Sequence, residues 1–340
     1  MTQEKHQWKV AVVGATGLVG SRMLAVLEKR NFPISELVPV ASPRSAGKEI
    51  PFRGEARKVR AIAPEVFDGV DIALFSAGGG TSREWAEVAA KRGATVIDNS
   101  SAWRMDPEVP LCVPEVNLEA ARKPPKGIIA NPNCSTIQLV TALAPIHREN
   151  PIVRLNVATY QAISGAGATA VESFQQQMRE YAAGQAVQKG SLPGQLAGNL
   201  LMAWSTIGDT GYHEEEMKLV NETRKILAAP TLSVSPTAVR VPVLNGHSEA
   251  VTVECERPLT AKDARRLLTG APGLRLMDDF DNGIYPTPLD ADGTDEVLVG
   301  RIRDDIGRPG GIQLWIVGDN LLKGAALNAV QIAEGLFSAP

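Results

Sequence analysis

Cys134 has the surroundings expected of a nucleophile. Residues 131–136, Asn-Pro-Asn-Cys-Ser-Thr, lie between an apolar strand-like stretch and an amphipathic stretch, so we predict that Cys134 begins a helix with Asn133 as its N-cap. The helix dipole and the free backbone N–H groups at such a position stabilise a thiolate, the form that attacks a carbonyl carbon. The alternative is a small core residue, which is the role that apolar surroundings predict for Cys112 and Cys255.

A nucleophilic thiol needs a partner that moves protons, and the chain has four histidines. His6 lies in a polar N-terminal segment. His147 falls about 13 residues along the helix predicted from Cys134, or about 20 Å from the thiol, which is too far for proton transfer. His247 follows a strand-like stretch and stands next to a glycine. Residue types alone therefore rank His247 first and His213 second.

A glycine array near the N-terminus predicts a phosphate-binding turn. Gly14, Gly17 and Gly20 form a G-x-x-G-x-x-G pattern that follows an apolar run at 10–13 and opens a stretch with helical apolar spacing. Backbone N–H groups in such a turn, together with the helix N-terminus, can hold a pyrophosphate. The alternative is that the glycines serve only the close packing of helix on strand.

The residues that follow this turn favour NADP over NAD. An NAD enzyme is expected to carry an acidic residue about 20 positions beyond the last glycine, where it meets the ribose hydroxyls. Residues 40–45 contain no carboxylate. Arg44, with Ser45 and Lys48 nearby, instead offers charge-assisted donors to a ribose 2'-phosphate. The alternative is that Arg44 and Lys48 are solvated loop charges.

The chain is long enough for two domains, and its first part has the pattern of an α/β domain. With 340 residues it exceeds the ~150 that are usual for one domain. Its apolar runs are continuous, which is typical of a parallel sheet buried on both faces. The runs after the first one are 37–41, 72–76, 95–98 and 128–130. A helix is predicted at 81–92, where Gly93 ends it.

The pattern changes after about residue 150 and predicts a second domain with a mostly antiparallel sheet. Its strand-like runs are 155–161, 239–243 and 251–255. In the last of these Val251, Val253 and Cys255 alternate with polar residues, which indicates one wetter face. The final stretch, 321–337, has helical apolar spacing and is predicted to return to the first domain.

Composition excludes several classes of function. A formal net charge of −3 and a pI near 5.9 give no basic field for a polyanion, so nucleic acid is not an expected partner. No apolar run reaches the ~18 residues of a membrane span, and the polar N-terminus signals no secretion, so we expect a cytoplasmic protein without a membrane partner. The three cysteines are widely spaced, which predicts neither a disulfide framework nor a metal site.

Eight short motifs, taken in order, resemble the bacterial aspartate-semialdehyde dehydrogenase family. They are GATGLVG, SPRSAGK, DNSSAWRMD, NPNCST, QAISGAG, EEMK, RVPVLNGH and DNLLKGAALNA, and the resemblance runs from about Val10 to the C-terminus. It implies a Rossmann-type NADP-binding domain at 1–133 that the C-terminal helix at 320–340 completes. It also implies an α/β catalytic domain at 134–319 that forms a homodimer.

The resemblance also implies roles for the residues that would act on the substrate. Cys134 resembles the family's nucleophile, Gln161 the residue that orients it, and His247 the acid/base. Arg240 resembles the arginine that binds the substrate carboxylate, and Glu215 the acid that meets its amino group. Taken singly, the arginine could equally form an ordinary ion pair, the glutamate could belong to a solvated acidic face, and the glutamine could be a surface amide. The occurrence of all of them in the family's order favours an active site.

Two further sets of residues follow from the resemblance. The phosphate-binding set is Arg104, Asn133 and Lys218. The cofactor-binding set is Gly14, Thr16, Gly17, Leu18, Val19, Gly20, Arg44, Ser45, Ser76, Gly78, Ser164, Gly165 and Asn320. One departure from the family stands at Gly198, where related sequences often carry an aromatic residue, and it concerns local packing.

The implied reaction interconverts L-aspartate 4-semialdehyde plus phosphate with L-4-aspartyl phosphate, using NADP, in the biosynthesis of lysine, threonine and methionine. Two alternatives remain open at this point. One is another acyl-phosphate reductase, such as N-acetyl-glutamyl-phosphate reductase, for which a carboxylate at Glu215 has no purpose. The other is a non-catalytic NADP-binding regulator, which has no need of the set Cys134, Gln161 and His247.

Overall fold

A computed structural model describes residues 7–202 and 204–337, which form two compact units. The first unit runs to Pro132 and takes up the chain again from Ala325, and the second spans Asn133–Gly324. The divisions predicted from the sequence are at 133/134 and 319/320. No helix in the described ranges is long and apolar enough to cross a membrane.

The first unit is an α/β fold around a parallel sheet. Its strands are β1 (Trp8–Val13), β2 (Ile34–Ala41), β3 (Glu49–Phe52), β4 (Glu55–Lys58), β5 (Arg60–Ala61), β6 (Ile72–Phe75), β7 (Thr95–Asp98) and β8 (Ile128–Ala130). Its helices are α1 (Leu18–Lys29), α2 (Gly78–Lys91), α3 (Pro114–Asn117) and, from the end of the chain, α9 (Leu327–Phe337). Six strands pair in the order β5-β2-β1-β6-β7-β8, and β3 and β4 form a separate hairpin.

Every pairing within this six-stranded sheet is parallel, as the continuous apolar runs predict. All four residues of β6 are buried, because helices cover both faces of such a sheet. The predicted helix at 81–92 begins earlier, at Gly78, and Gly93 follows its end with a φ of +98°. The last helix of the chain, α9, packs on α1 and β7.

The second unit carries a mixed sheet. Its strands are β9 (Ile152–Gln161), β10 (Ser233–Arg240), β11 (His247–Cys255), β12 (Leu274–Leu276), β13 (Val297–Asp304) and β14 (Ile312–Gly318). Its helices are α4 (Cys134–Glu149), α5 (Ala168–Ala182), α6 (Glu214–Ile226), α7 (Ala261–Leu268) and α8 (Pro288–Ala291). The strand order is β10-β9-β11-β14-β13-β12, in which β10 pairs with β9, and β12 with β13, in parallel.

One predicted strand is displaced along the chain. The apolar run 239–243 predicts a strand through Val243, but β10 begins at Ser233 and ends at Arg240. Val241 still donates its N–H to Gln161 O, at 3.0 Å, and Pro242 has no N–H to continue the ladder. The chain therefore turns away at this point, and Arg240 becomes the last residue of its strand.

Candidate active site

Cys134 is the first residue of α4, as predicted. Asn133 caps the helix, and its Oδ1 accepts from the backbone N–H groups of Ser135 and Thr136 at 3.1 and 3.4 Å. Gly324 packs against the nucleophile so closely that a Cβ at that position would lie 2.9 Å from the Cβ of Cys134. The cap therefore fixes the helix start, and it also engages two N–H groups that a substrate oxygen could otherwise use.

Glu215, in the first turn of α6, binds three of the predicted site residues at once. Its Oε1 accepts from Asn133 Nδ2 at 2.9 Å and from Gln161 Nε2 at 3.0 Å, and its Oε2 accepts from Lys218 Nζ at 3.1 Å. Burial acts to raise the pKa of Glu215, but the charge of Lys218 and these hydrogen bonds outweigh it and lower the pKa to about 2. Glu215 is thus a buried anion at neutral pH.

Gln161, the last residue of β9, is held in one orientation by its strand neighbour. Thr159 Oγ1 donates to Gln161 Oε1 at 3.0 Å, while Gln161 Nε2 donates to Glu215. Because an ionised carboxylate cannot donate to a carbonyl oxygen, the bond to Glu215 excludes the flipped amide, and Thr159 completes the remaining contact. Thr159 is fully buried and was not identified from the sequence, although it lies two residues before Gln161 on the same face of the strand.

Arg240, at the end of β10, is a buried cation. Its side chain is 5% exposed, and Nη1 donates to Ala162 O at 2.7 Å. Burial lowers the pKa of Arg240, and the nearby charges of Glu215 and Cys134 act in the opposite direction. An arginine keeps its proton at neutral pH even after such a shift. The position therefore offers a fixed positive charge close to the nucleophile.

His247, the first residue of β11, is fully buried. Its Nδ1 accepts from the backbone N–H of Ala162 at 3.0 Å, so the proton of the neutral ring is on Nε2. Nε2 has no hydrogen-bond partner among the residues that the structure describes. Burial, reinforced by the charge of Arg240 and opposed by that of Glu215, lowers the pKa of His247 to about 3. The ring is therefore a neutral hydrogen-bond donor at physiological pH.

The space beside His247 is kept open by Gly165. A Cβ at Gly165 would lie 3.2 Å from His247 Nε2 and 3.4 Å from Arg240 Nη1. The neighbouring Ser164 accepts from Asn320 Nδ2 at 2.8 Å, and Asn320 Oδ1 accepts from the backbone N–H of Gly246 at 2.9 Å. The three residues predicted to line the nicotinamide within this unit thus adjoin His247 and its neighbour Gly246.

The glycine turn of the first unit fits a bound dinucleotide. Gly14 has a φ of +87°, and a Cβ there would overlap the carbonyl oxygen of Ser76, while one at Gly20 would overlap the carbonyl oxygen of Gly14. The helix α1 begins directly after Gly17, and no side chain caps its N-terminus. A cradle that admits no side chains, beside an uncapped helix start, suits a pyrophosphate.

Two other predicted cofactor residues follow β2. Arg44 and Ser45 form a 3₁₀ turn there, with Arg44 exposed and no acidic side chain in the turn. Gly78, at the start of α2, has a φ of +83°. Thr16, Leu18 and Val19 occupy the glycine turn and the first residues of α1, where the sequence predicts them.

Arg104 lies in the first unit. Its Nε donates to Asn131 O at 2.9 Å and its Nη2 to Asn99 O at 3.0 Å, and the side chain is 7% exposed. The structure therefore brings Asn133 and Lys218 together through Glu215, and these two hydrogen bonds of Arg104 lie within the first unit. No group of three or more potential metal ligands of the His, Cys, Asp and Glu type occurs in the described ranges.

Sequence reasoning missed a second acid beside the nucleophile. Glu222 lies on α6, and its Oε2 accepts from the backbone N–H of Asn133 at 2.7 Å. It is 2% exposed. Helical spacing could have found it, since residues seven apart lie on the same face and Glu222 is two turns beyond Glu215.

Comparison with known proteins gives one consistent family. Residues 9–123 match the family profile described as "Semialdehyde dehydrogenase, NAD binding domain", and residues 143–323 match "Semialdehyde dehydrogenase, dimerisation domain". An aspartate-semialdehyde dehydrogenase of Synechocystis sp. is 52% identical over 326 residues, covering 96% of each chain.

Solved structures agree with this relationship. Aspartate semialdehyde dehydrogenase II of Vibrio cholerae, solved in complex with ASA, has a TM-score of 0.94 and 46% identity, covering 97% of this chain and 98% of that one. The enzyme of Candida albicans, solved with NADP, has a TM-score of 0.77 and 26% identity, covering 97% of this chain and 98% of that one. The α/β fold and the whole described site lie within these matches, and the chain belongs to the aspartate-semialdehyde dehydrogenase family.

Proposed function

We propose that the chain catalyses the NADP-dependent interconversion of L-aspartate 4-semialdehyde plus phosphate with L-4-aspartyl phosphate, through a thioester on Cys134, in the biosynthesis of lysine, threonine and methionine. The observation that carries the proposal is the arrangement around Glu215. This buried anion binds Asn133, which caps the helix of Cys134, and it also binds Gln161 and Lys218. Its charge raises the pKa of Arg240 and so opposes the effect of burial on that cation.

Substrate binding requires opposite charges at two positions. Arg240 supplies a cation with planar, paired N–H donors for the α-carboxylate. Glu215 stays ionised at neutral pH and supplies an anion for the α-ammonium group. An N-acetylated substrate has no ammonium group to compensate this buried charge, so the charge of Glu215 favours aspartate semialdehyde over an N-acetyl-glutamyl substrate.

In the oxidative direction the Cys134 thiolate adds to the aldehyde carbon and the carbonyl oxygen becomes an alkoxide. His247 Nε2–H donates to this oxygen and stabilises its charge. NADP, when bound, accepts the hydride that leaves the same carbon, and a thioester on Cys134 remains. The sequence predicts an acid/base role for His247; we propose the narrower role of donor, because Nδ1 accepts from Ala162 and leaves the proton on Nε2.

The thioester is then cleaved by phosphate. Lys218, whose Nζ lies 3.1 Å from Glu215 Oε2 and 3.3 Å from Glu214 Oε1, supplies a cation for the phosphate beside Asn133. A phosphate oxygen attacks the thioester carbon, the C–S bond breaks, and the thiolate of Cys134 is restored. The steps balance without any further reactant, and biosynthetic flux runs through them in reverse.

The cofactor is held by the two sets predicted from the sequence. In the first unit the glycine turn, with Thr16, Leu18, Val19, Ser76 and Gly78 around it, would hold the pyrophosphate, and Arg44 with Ser45 would bind the 2'-phosphate. In the second unit Ser164, Gly165 and Asn320 would line the nicotinamide. We also propose that the enzyme acts as a homodimer in the cytoplasm.

The test is the reaction itself. Purified protein is assayed for NADPH formation from aspartate semialdehyde, with and without phosphate, beside N-acetyl-glutamate semialdehyde as the competing substrate. We expect phosphate-dependent turnover of aspartate semialdehyde only, and loss of that turnover in Cys134→Ala. Turnover that survives in Cys134→Ala, or that prefers the acetylated substrate, contradicts the proposal.

A further inference from the structure

The segment between α5 and α6 is attached directly to the residue that binds the substrate carboxylate. Leu201 donates its N–H to Arg240 O at 3.1 Å, and Arg240 donates its N–H to Leu201 O at 2.8 Å. At its other end the segment closes on itself, since Ile207 forms a β-bridge with His213. His213 caps α6, the helix that carries Glu215 in its first turn.

Trp204 lies in this segment and contacts Arg240 and His213. The guanidinium carbon of Arg240 stands 4.5 Å from the centroid of the Trp204 ring, within the distance of a cation–π interaction. The same ring lies 5.0 Å from the ring of His213, at an interplanar angle of 58°. Trp204 thus spans from the carboxylate-binding arginine to the cap of the helix that carries the ammonium-binding acid.

From this arrangement we infer that Trp204 is a specificity-determining residue, which fixes the Arg240 guanidinium so that it accepts a planar carboxylate at its edge. The inference rests on the proposed function, in which Arg240 binds the α-carboxylate of the substrate. Trp204 acts through Arg240 and is a positioning residue.

Two contacts already restrict the guanidinium. Nη1 donates to Ala162 O at 2.7 Å, and the Trp204 ring lies against the group, with its centroid 4.5 Å from the guanidinium carbon. Because Ala162 engages Nη1, an anion meets Arg240 at the edge that carries Nε and Nη2. A carboxylate binds such an edge through two parallel hydrogen bonds, and the fixed plane sets the direction in which the rest of the substrate extends. The aromatic face also stabilises a cation that burial alone destabilises.

A merely structural role for Trp204 makes a different prediction. If the indole only anchors the segment to the rest of the second unit, its loss lowers kcat/KM for every substrate alike. If it positions Arg240, its loss weakens only those substrates that carry a carboxylate. The two cases separate when aspartate semialdehyde is compared with 3-aminopropanal, which has the same aldehyde and ammonium groups and lacks the carboxylate.

The experiment measures kcat and KM for both aldehydes in wild type, Trp204→Leu, Trp204→Phe and Phe280→Leu. Trp204→Leu keeps an apolar cover without a π-face, and Trp204→Phe keeps the π-face in a smaller ring. Phe280→Leu is the matched control, since it removes another cation–π pair of the same unit, in which Arg301 lies 4.0 Å from the ring.

We expect Trp204→Leu to lower kcat/KM for aspartate semialdehyde by about 5- to 30-fold, which corresponds to about 1–2 kcal/mol, mainly through KM. Its kcat/KM for 3-aminopropanal stays at the wild-type value. Trp204→Phe recovers most of the loss, and Phe280→Leu matches wild type with both aldehydes. Should 3-aminopropanal turn over too slowly, its inhibition constant against aspartate semialdehyde provides the same comparison.

Two results overturn the inference. Equal losses with both aldehydes in Trp204→Leu assign the residue a structural role, and wild-type values with both assign it none. Failure of the proposed function is visible separately, in the wild type: if it uses the two aldehydes equally well, Arg240 does not bind the carboxylate, and the inference falls with that assignment.

Discussion

Burial disfavours the charged forms of both Glu215 and His247, yet only His247 is neutral. Glu215 receives hydrogen bonds from Asn133, Gln161 and Lys218, and these keep it ionised with a pKa of about 2. His247 receives one backbone N–H at Nδ1 and faces the charge of Arg240, so it stays neutral with a pKa of about 3. The site is therefore built to hold a fixed charge pattern across the physiological pH range.

The neutral state of His247 predicts the pH dependence of the reaction. Between pH 5.5 and 7.5 we expect no inflection in kcat/KM from this residue, and His247→Gln, which keeps an N–H donor, should follow the same profile as wild type. His247→Ala should lose about 10²- to 10³-fold in kcat, the usual cost of one donor to an oxyanion. A wild-type limb near pH 6.5 that is absent in His247→Gln would show that His247 titrates during catalysis. His147→Gln serves as the control, because it replaces a histidine that lies too far from Cys134 to take part in proton transfer.

The same shift affects stability. A histidine that folds with a pKa of about 3, against about 6.5 when unfolded, binds fewer protons in the folded state. Its contribution to the free energy of unfolding is present above pH 6.5 and is lost as the pH falls towards 3.

At the scale of the elements, the start of α4 could be predicted because it depends on neighbouring residues. The end of β10 could not be predicted because it depends on long-range strand pairing. The cap by Asn133 involves only its own next three residues, so the sequence contains the whole signal. The end of β10 depends on which strand lies beside it and on Pro242, and no local pattern carries that information. Trp204 was missed for the same reason, since Arg240 is distant in the chain, whereas Thr159 was missed although its partner Gln161 lies only two residues away.

β11 contains a residue that its alternation alone does not explain. Glu249 shares the buried face with Val251 and Val253, and neither of its carboxylate oxygens has a hydrogen-bond partner among the described residues. Burial raises the pKa of Glu249 well above its usual value, and the side chain of Gln138 only partly opposes this. The acid is therefore protonated in the folded protein.

Glu249→Gln is accordingly expected to stabilise the protein at neutral pH. Because the folded pKa is raised, wild type is most stable below the unfolded pKa of about 4.3 and loses stability as the pH rises towards the folded value. The amide does not titrate, so the difference between the two proteins should grow from pH 5 to pH 8. Urea unfolding at pH 5, 6.5 and 8 measures it. A variant that is less stable than wild type at pH 8 would contradict a protonated Glu249.

At the scale of the whole molecule, each unit carries part of the proposed set of cofactor-binding and catalytic residues. The first unit provides the glycine turn and the exposed Arg44, and the second provides the nucleophile with its buried network. The motifs that predicted both sets are local in sequence, which explains why the family and the fold class could be recognised without a structure. The shared bonds of Glu215, by contrast, join three elements and became visible only in the fold.

Cofactor choice is a property of the first unit, and Arg44→Ala tests it. Charge-assisted hydrogen bonds to the 2'-phosphate are worth roughly 1.5–3 kcal/mol, so the preference for NADP over NAD should fall by about 10- to 150-fold. The KM values for the two cofactors measure this, and Arg122→Ala, which removes another exposed arginine of the same unit, provides the control. Equal losses for NADP and NAD would show that Arg44 does not recognise the 2'-phosphate.

A thioester on Cys134 is the intermediate of the proposed reaction, and a single turnover without phosphate detects it. Enzyme is mixed with aspartate semialdehyde and NADP in phosphate-free buffer, NADPH is followed from the first milliseconds, and the acid-quenched protein is mapped by mass spectrometry. We expect a burst of about one NADPH per active site and an aspartyl adduct on the peptide that contains Cys134, with neither in Cys134→Ser. A full burst in Cys134→Ser, or an adduct on Cys112 or Cys255 in its place, would contradict a thioester on Cys134.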